Sequence, residues 1–365
     1  MDARYTDELT RGTTSTSPGQ HRWSCVSAGQ LAQVLVSRLV RDIGVQGEVV
    51  VTWPVYDIDG RTTGQLLREA GLTIRLEPKT GSRSKAELIA LLGDAVAVIA
   101  STDPFDADVF AACPRLRVIA RTGVGVDTID IPAATRAGVV IATTPGMNEE
   151  AVADHTLAMM LALVRRLPEH DRSMRDRCWD RGGMLTPGDL YGATVGVIGA
   201  GRIGRGVIRR VRAFGSRVLV CDPLLTTPEE GTELAGLDRL LAESDVVSLH
   251  VPLIEQTRNL IGIEQLALMK PSAILINASR GHIVDEAALA DALRHGRLAA
   301  AGIDAFTDEP PFDSELLELP NVLLTPHVGG FSHRAIVAMT EMATQSVVAV
   351  MRGQAPSGVI NLEAL

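Results

Sequence analysis

From residue 48 onward the chain alternates two rhythms. Short runs of β-branched and aliphatic residues (Val49–Val51, Thr73–Leu76, Val96–Ile99, Val118–Ala120 and Val139–Ile141) read as strands. Between them, apolar positions recur every three or four residues, as in Thr63–Ala70 and Lys85–Leu92, the spacing of a helix with one buried face. Strand and helix in alternation predict βαβ units and a parallel sheet. Asn148 to about Asp176 reads as one long helical stretch, apolar on most faces near Leu157–Leu163 and charged beyond. The alternation then restarts with Thr194–Ile198, Arg217–Cys221, Val246–His250, Ala273–Asn277, Ala301–Ala305 and Val322–Thr325, and His333–Met351 closes the chain with helical spacing. The pattern predicts two α/β domains. One comprises residues 48–147 and 331–365, and the other, residues 148–330, is inserted into it. Residues 1–47 are extra: a polar tail to residue 22, then Val26 to Ile43 at helical spacing.

The chain has 365 residues, of which 46% are apolar and 22% charged, enough for two domains with cores of their own. A net charge of -9 with 3% aromatics argues against nucleic acid as a partner, since neither a basic patch nor stacking platforms are evident. Cys25, Cys113, Cys178 and Cys221 are scattered, so neither a disulfide framework nor a metal site is expected. The polar N-terminus lacks the apolar core of a signal peptide, and no apolar run is long enough to span a bilayer. A soluble, cytoplasmic protein with no membrane partner is the expectation.

One loop carries specific chemistry. The strand at Thr194–Ile198 runs into Gly199-Ala200-Gly201-Arg202-Ile203-Gly204, a helical pattern follows to Phe214, and the next strand ends at Asp222, 23 residues after Gly199. In that setting Gly199 permits the tight turn, Gly201 lets the backbone approach a pyrophosphate, and Gly204 lets helix and strand pack closely. The helix start offers N–H groups and a positive dipole end to the phosphates. Asp222 suits a ribose 2′-hydroxyl and repels a 2′-phosphate; with no Arg following it, NAD is expected over NADP.

Three later strands end in polar groups: Ala278-Ser279-Arg280-Gly281, then Phe306-Thr307-Asp308-Glu309-Pro310, then Pro326-His327-Val328-Gly329-Gly330. Ligands of an open parallel sheet bind outside the carboxyl ends of its strands, so Arg280, Glu309 and His327 should converge beside the cofactor. Arg280 can clamp a carboxylate, His327 can exchange a proton with an oxygen at C2, and Glu309 can hold the imidazole and stabilise its cation.

These strings, together with Arg121-Thr122-Gly123-Val124-Gly125-Val126-Asp127-Thr128-Ile129-Asp130 and His250-Val251-Pro252-Leu253, carry a resemblance. Residues 48 to about 355 resemble the D-2-hydroxyacid dehydrogenase family, in particular its phosphoglycerate dehydrogenase-like branch. The resemblance implies two Rossmann-like or flavodoxin-like domains and hydride transfer between NAD and C2 of a small 2-hydroxy or 2-keto acid. It implies Arg280, Glu309 and His327 as the catalytic set. Carboxylate binding would fall to the amides of Val124 and Gly125, with Ser101 and Arg121 also at the substrate. Arg202 and Ile203 would cover the pyrophosphate and Asp304 face the nicotinamide carboxamide. Further cofactor contacts would come from His250, Val251, Pro252, Thr257, Ala278 and Gly329. A homodimer built on the cofactor domain is implied as well.

The chain departs from that pattern in places. Phosphoglycerate dehydrogenases of the family often carry an Arg after the third strand to hold the substrate phosphate. Here Ala100-Ser101-Thr102-Asp103 stands in that region, while Arg121 remains to serve an anion. Little chain follows the closing helix, so no C-terminal regulatory domain is expected. Phosphite oxidation, or NAD(H) sensing without catalysis, are the alternative functions on such a scaffold. His155, His170, His282, His295 and His333 suggest no partners in the sequence.

Overall fold

The computed structural model describes residues 46–56, 63–79, 81, 83–179, 181 and 186–361. The helix expected over residues 23–46 falls outside them but for its last residue. The first sheet is built from β1 (Gly47–Val51), β2 (Leu72–Leu76), β3 (Ala97–Ala100), β4 (Val118–Arg121) and β5 (Val140–Ala142), with α1 (Thr63–Glu69), α2 (Lys85–Leu92), α3 (Ala107–Ala112) and α4 (Ile131–Arg136) in the crossovers. Every pairing is parallel and the order is β2-β1-β3-β4-β5. The strands β3, β4 and β5 are buried along their whole length, which is why they read as unbroken apolar runs rather than alternating ones.

The stretch expected as one helix from Asn148 to Asp176 is two: α5 (Glu149–Val164) and α6 (Leu167–Arg175). Arg166 between them has φ 53, and Pro168 begins the second. A proline lacks the N–H that an uninterrupted helix needs and suits a helix start, so the break was written in the sequence.

The second sheet contains β6 (Thr194–Ile198), β7 (Arg217–Cys221), β8 (Glu233–Leu234), β9 (Val246–Leu249), β10 (Ile274–Asn277), β11 (Ala300–Ile303) and β12 (Val322–Leu324). Its helices are α7 (Arg202–Ala213), α8 (Leu237–Glu243), α9 (Ile263–Leu268) and α10 (Glu286–Arg294). All pairings are parallel in the order β12-β11-β10-β9-β6-β7-β8. The order reverses at β6/β9, and in the first sheet at β1/β3, the switch points where α/β sheets open a crevice. Several strands stop earlier than their apolar runs, so His250, Asp304 and Thr325 lie on the loops beyond β9, β11 and β12.

Two helices tie the halves together. From α5, Met159, Met160 and Leu163 join Val195, Val197, Ile274 and Ile276 in the core of the second sheet. The last helix, α11 (His333–Met351), returns to the first sheet, where Ile336, Met339, Ala343 and Val347 pack with Val49, Val118 and Ala120. Among the described residues, no helix is long and apolar enough to cross a membrane.

Candidate active site

The glycine loop follows β6. Gly199 has φ 90, and a Cβ there would come within 2.5 Å of the His250 carbonyl oxygen, so the turn after β6 requires glycine. At Gly204 a Cβ would collide with the Gly199 carbonyl, which presses α7 against the strand end. Gly201 differs: a Cβ there would meet nothing within 4 Å, and Gly201 caps α7 without a side-chain hydrogen bond. Space and uncapped N–H groups thus coincide where a diphosphate would lie.

Asp222, just past β7, accepts hydrogen bonds from the amides of Ala200 (2.7 Å) and Leu224 (2.8 Å), which places it beside the loop. Arg202, at the start of α7, is exposed, with its guanidinium 3.6 Å from Glu149, and Ile203 follows it. His250 hydrogen bonds through Nε2 with the Ser248 hydroxyl at 2.9 Å, and burial pushes its pKa down to about 4. Val251 packs against the core of the second sheet. Thr257 fixes the turn that begins at Pro252: its hydroxyl donates to the Pro252 carbonyl at 2.5 Å and accepts from the Ile254 amide at 2.9 Å.

At the ends of β10, β11 and β12 the three candidate catalytic residues meet. His327 Nδ1 lies 2.8 and 2.9 Å from the two carboxylate oxygens of Glu309, which leaves Nε2 as the nitrogen for an outside partner. His327 is held at φ 53, in the left-handed region that few residues other than glycine adopt. Its amide bonds to the Thr325 carbonyl, closing a tight turn that aims the ring. Glu309 also accepts from the Phe306 amide at 3.1 Å.

Arg280 comes from the loop after β10. Buried Asn277 shapes that loop: its amide donates to the Arg280 carbonyl at 2.8 Å, and its oxygen accepts from the amide and hydroxyl of Ser279, with Ala278 enclosed between. Arg280 then reaches the other half of the molecule. Its Nε donates to Asp127 Oδ1 at 2.9 Å, and its guanidinium fills the space a Cβ on Gly125 would need. Burial pushes the Asp127 carboxyl up, but the Arg280 charge and hydrogen bond outweigh it and hold the group below its ordinary range. Among the described residues, the amides of Val124 and Gly125 have no hydrogen-bond partner. Arg121, the last residue of β4, is buried behind this loop and gives Nη1 to the Thr122 carbonyl at 2.6 Å. Burial and the nearby Arg280 charge both lower its pKa. Ser101 is half-buried just past β3.

Asp304 is buried. It accepts from the Thr325 hydroxyl (2.6 Å) and from the amides of Val328 (2.9 Å) and Gly329 (2.8 Å). Burial pushes its carboxyl up, but these donors and His155 together keep it below the usual carboxylate range. Histidines expected to lack partners have them. His155, on α5, does have partners: Nε2 lies 3.0 Å from Thr325 Oγ1 and 3.5 Å from Asp304 Oδ1. His295 likewise pairs with Asp291, at 3.0 Å on the surface. Asp127, Asn277 and His155 support the candidate site although the sequence did not mark them. Asp127 lies inside the Arg121–Asp130 string and Asn277 ends the strand run before Arg280, whereas nothing in the chain near His155 signals its role. Among the described residues no cluster of His, Cys, Asp and Glu could hold a metal ion.

A glycine turn and helix start at one sheet's switch point, with a His–Glu pair and an Arg on neighbouring strand ends, define a dinucleotide-dependent dehydrogenase. Comparison with known proteins agrees. Residues 157–329 match the family model described as D-isomer specific 2-hydroxyacid dehydrogenase, NAD binding domain. The chain is 43% identical over 290 residues to glyoxylate reductase of Korarchaeum cryptofilum, covering 77% of this chain and 87% of that one. It is 38% identical over 322 residues to D-3-phosphoglycerate dehydrogenase of Methanocaldococcus jannaschii, covering 86% of this chain but 59% of that protein's length. A crystal structure of D-lactate dehydrogenase from Aquifex aeolicus, complexed with NAD and lactic acid, superimposes with a TM-score of 0.74 at 29% identity over 87% of this chain and 97% of that one. The chain belongs to the D-isomer specific 2-hydroxyacid dehydrogenase family, and its cofactor is NAD.

Proposed function

We propose that this protein transfers a hydride between NAD and C2 of a small 2-hydroxy or 2-keto acid. The observation that carries the reading is the His327–Glu309 pair on the same edge as Arg280, whose guanidinium reaches the Gly125 loop. Nicotinamide supplies or accepts the hydride when bound; the protein supplies the rest. Arg280 and the Val124 and Gly125 amides hold the substrate carboxylate, which fixes the plane of the C2 carbonyl. His327 gives its proton to the C2 oxygen in reduction and takes one back in oxidation. Glu309 holds the ring by Nδ1 and stabilises the imidazolium. Gly199, Gly201, Arg202, Ile203 and Gly204 take the pyrophosphate and Asp222 the adenosine ribose. His250, Val251, Pro252, Thr257, Ala278, Asp304 and Gly329 line the remainder of the cofactor groove. Ser101 and Arg121 lie toward the substrate.

On this reading, residues 48–147 and 331–365 form the substrate domain and residues 148–330 the cofactor domain. The protein works in the cytoplasm as a homodimer. Exposed Trp179 and Tyr191, both near the α6–β6 connection, support an interface on the cofactor domain. The test is NADH oxidation against a panel of 2-keto acids including glyoxylate, pyruvate and hydroxypyruvate. Turnover of at least one supports the reading. Tight NADH binding with no turnover of any would overturn it in favour of NAD(H) sensing.

A further inference from the structure

A buried ion pair stands at the carboxyl edge of the first sheet, outside the catalytic set. Asp103, two residues beyond Ser101, accepts at Oδ1 from Arg83 Nη1 (2.9 Å) and at Oδ2 from the Thr52 hydroxyl (2.5 Å). Arg83 gives its other terminal nitrogen to the Glu77 carbonyl. Both side chains are more than nine-tenths buried, at 8% and 5% exposure. Thr52 and Asp103 follow β1 and β3, the neighbours at this sheet's switch point, so the pair lies on the edge that faces a ligand. The position of Gly81 supports that placement: a Cβ on it would lie 3.8 Å from Pro310, next to Glu309.

Among the described residues named here, Arg83, Arg121 and Arg280 carry three positive charges, and Asp103 and Asp127 two negative ones. The charges of Arg280, Asp127 and Asp103 all reach Arg121. The balance of these five groups is a single positive charge. One substrate carboxylate neutralises the set. A phosphate would bring a further charge of about −1.5 to −2. It would meet a buried Asp103 carboxylate, whose repulsion is strong where water is excluded. It would also find Arg83 already committed to two acceptors.

We propose that Asp103 is a specificity-determining residue and that the site takes a 2-keto acid bearing one carboxylate and no phosphate. This rests on the function proposed above and narrows its substrate class. Discrimination here comes from a repulsive group, with an attractive one withheld.

The experiment compares NADH-dependent kcat/KM for hydroxypyruvate and 3-phosphohydroxypyruvate, with glyoxylate as a third substrate. The wild-type protein should favour hydroxypyruvate over its phosphorylated form by about 100-fold or more. Asp103→Asn keeps the shape and an acceptor, removes the charge and frees Arg83. It should narrow that ratio about tenfold or more, chiefly through a lower KM for the phosphorylated acid. The double variant Arg83→Met, Asp103→Leu removes both charges together and should gain no use of the phosphorylated acid. The wild-type comparison needs no variant to fold. Preference for 3-phosphohydroxypyruvate would overturn the inference and leave the proposed function standing. A folded Asp103→Asn protein with an unchanged ratio would remove Asp103 from the account. No turnover of any of the three acids would overturn the underlying reading, and this inference with it.

Discussion

Arg280 Nε donates to Asp127 Oδ1 at 2.9 Å, joining the loop after β10 to the loop after β4. The candidate carboxylate clamp is thus anchored on both halves of the molecule, and Asp127 keeps its guanidinium from swinging into solvent. Truncating a charge-assisted pair in a site closed to water costs about 2–5 kcal/mol. Arg280→Ala should lower the reductive kcat/KM by roughly 30-fold or more while the Kd for NADH changes little. Asp127→Asn, which loosens the clamp without removing it, should cost less and act mainly on KM. Steady-state kinetics with NADH titrations separate the two effects. Collapse of cofactor binding in Arg280→Ala would make the arginine a structural residue.

His327→Asn removes the proton donor and should lower kcat by about 10²- to 10⁴-fold with NADH binding intact. The proton requirement fixes the sign of the pH dependence. Reduction begins with His327 protonated, so its kcat/KM should fall as pH rises; oxidation begins with the neutral ring, so its rate should climb over the same range. Glu309→Gln removes the charge opposite the ring and holds it less firmly, so the reductive kcat should fall with NADH binding intact. An unchanged kcat in Glu309→Gln would show that the carboxylate plays no part in the proton transfer.

Asp222 accepts from the amides of Ala200 and Leu224, so its carboxylate is fixed beside the glycine loop. A 2′-phosphate at that place meets a fixed negative charge. The protein should therefore show a higher kcat/KM with NADH than with NADPH, and Asp222→Ser should narrow the difference. Equal values for the two cofactors in the wild type would count against Asp222 as the selector.

His250 gives a stability prediction with a definite window. Burial pushes its pKa down to about 4, whereas in the unfolded chain it titrates near 6.5. Between these values the unfolded state binds a proton that the native state refuses, so stability should fall as pH drops through the window. One such group contributes at most about 1.4 kcal/mol per pH unit. Urea denaturation at pH 7 and pH 5 should show a smaller loss for His250→Asn than for wild type. An equal loss would show that the ring takes up its proton without unfolding.

The fold was largely legible because its strands are buried on both faces and stand out as apolar runs, as with Val49–Val51 and Val118–Ala120. The catalytic candidates were legible for a related reason: the polar residues following β10, β11 and β12 interrupt an apolar rhythm. Pairings across the chain were not legible. Asp127 meets Arg280, and His155 meets Thr325 and Asp304, only when two sheets and α5 are assembled. The pair Arg83–Asp103 was hidden too, since a lone Arg between β2 and α2 reads as a solvated charge until burial is known. The helix break at Arg166 could have been read from Pro168.

The return of α11 to the first sheet bears on how the chain is made. Val49, Val118 and Ala120 are covered by Ile336, Met339, Ala343 and Val347, residues translated more than two hundred positions later. The second sheet has all its strands and its covering helix α5 between Glu149 and Leu324. On the ribosome, the later-starting half can therefore close its core first, while the earlier half waits with one apolar face open for the last helix to emerge. During that wait the nascent chain is most exposed to wrong partners, and chaperones have most to protect.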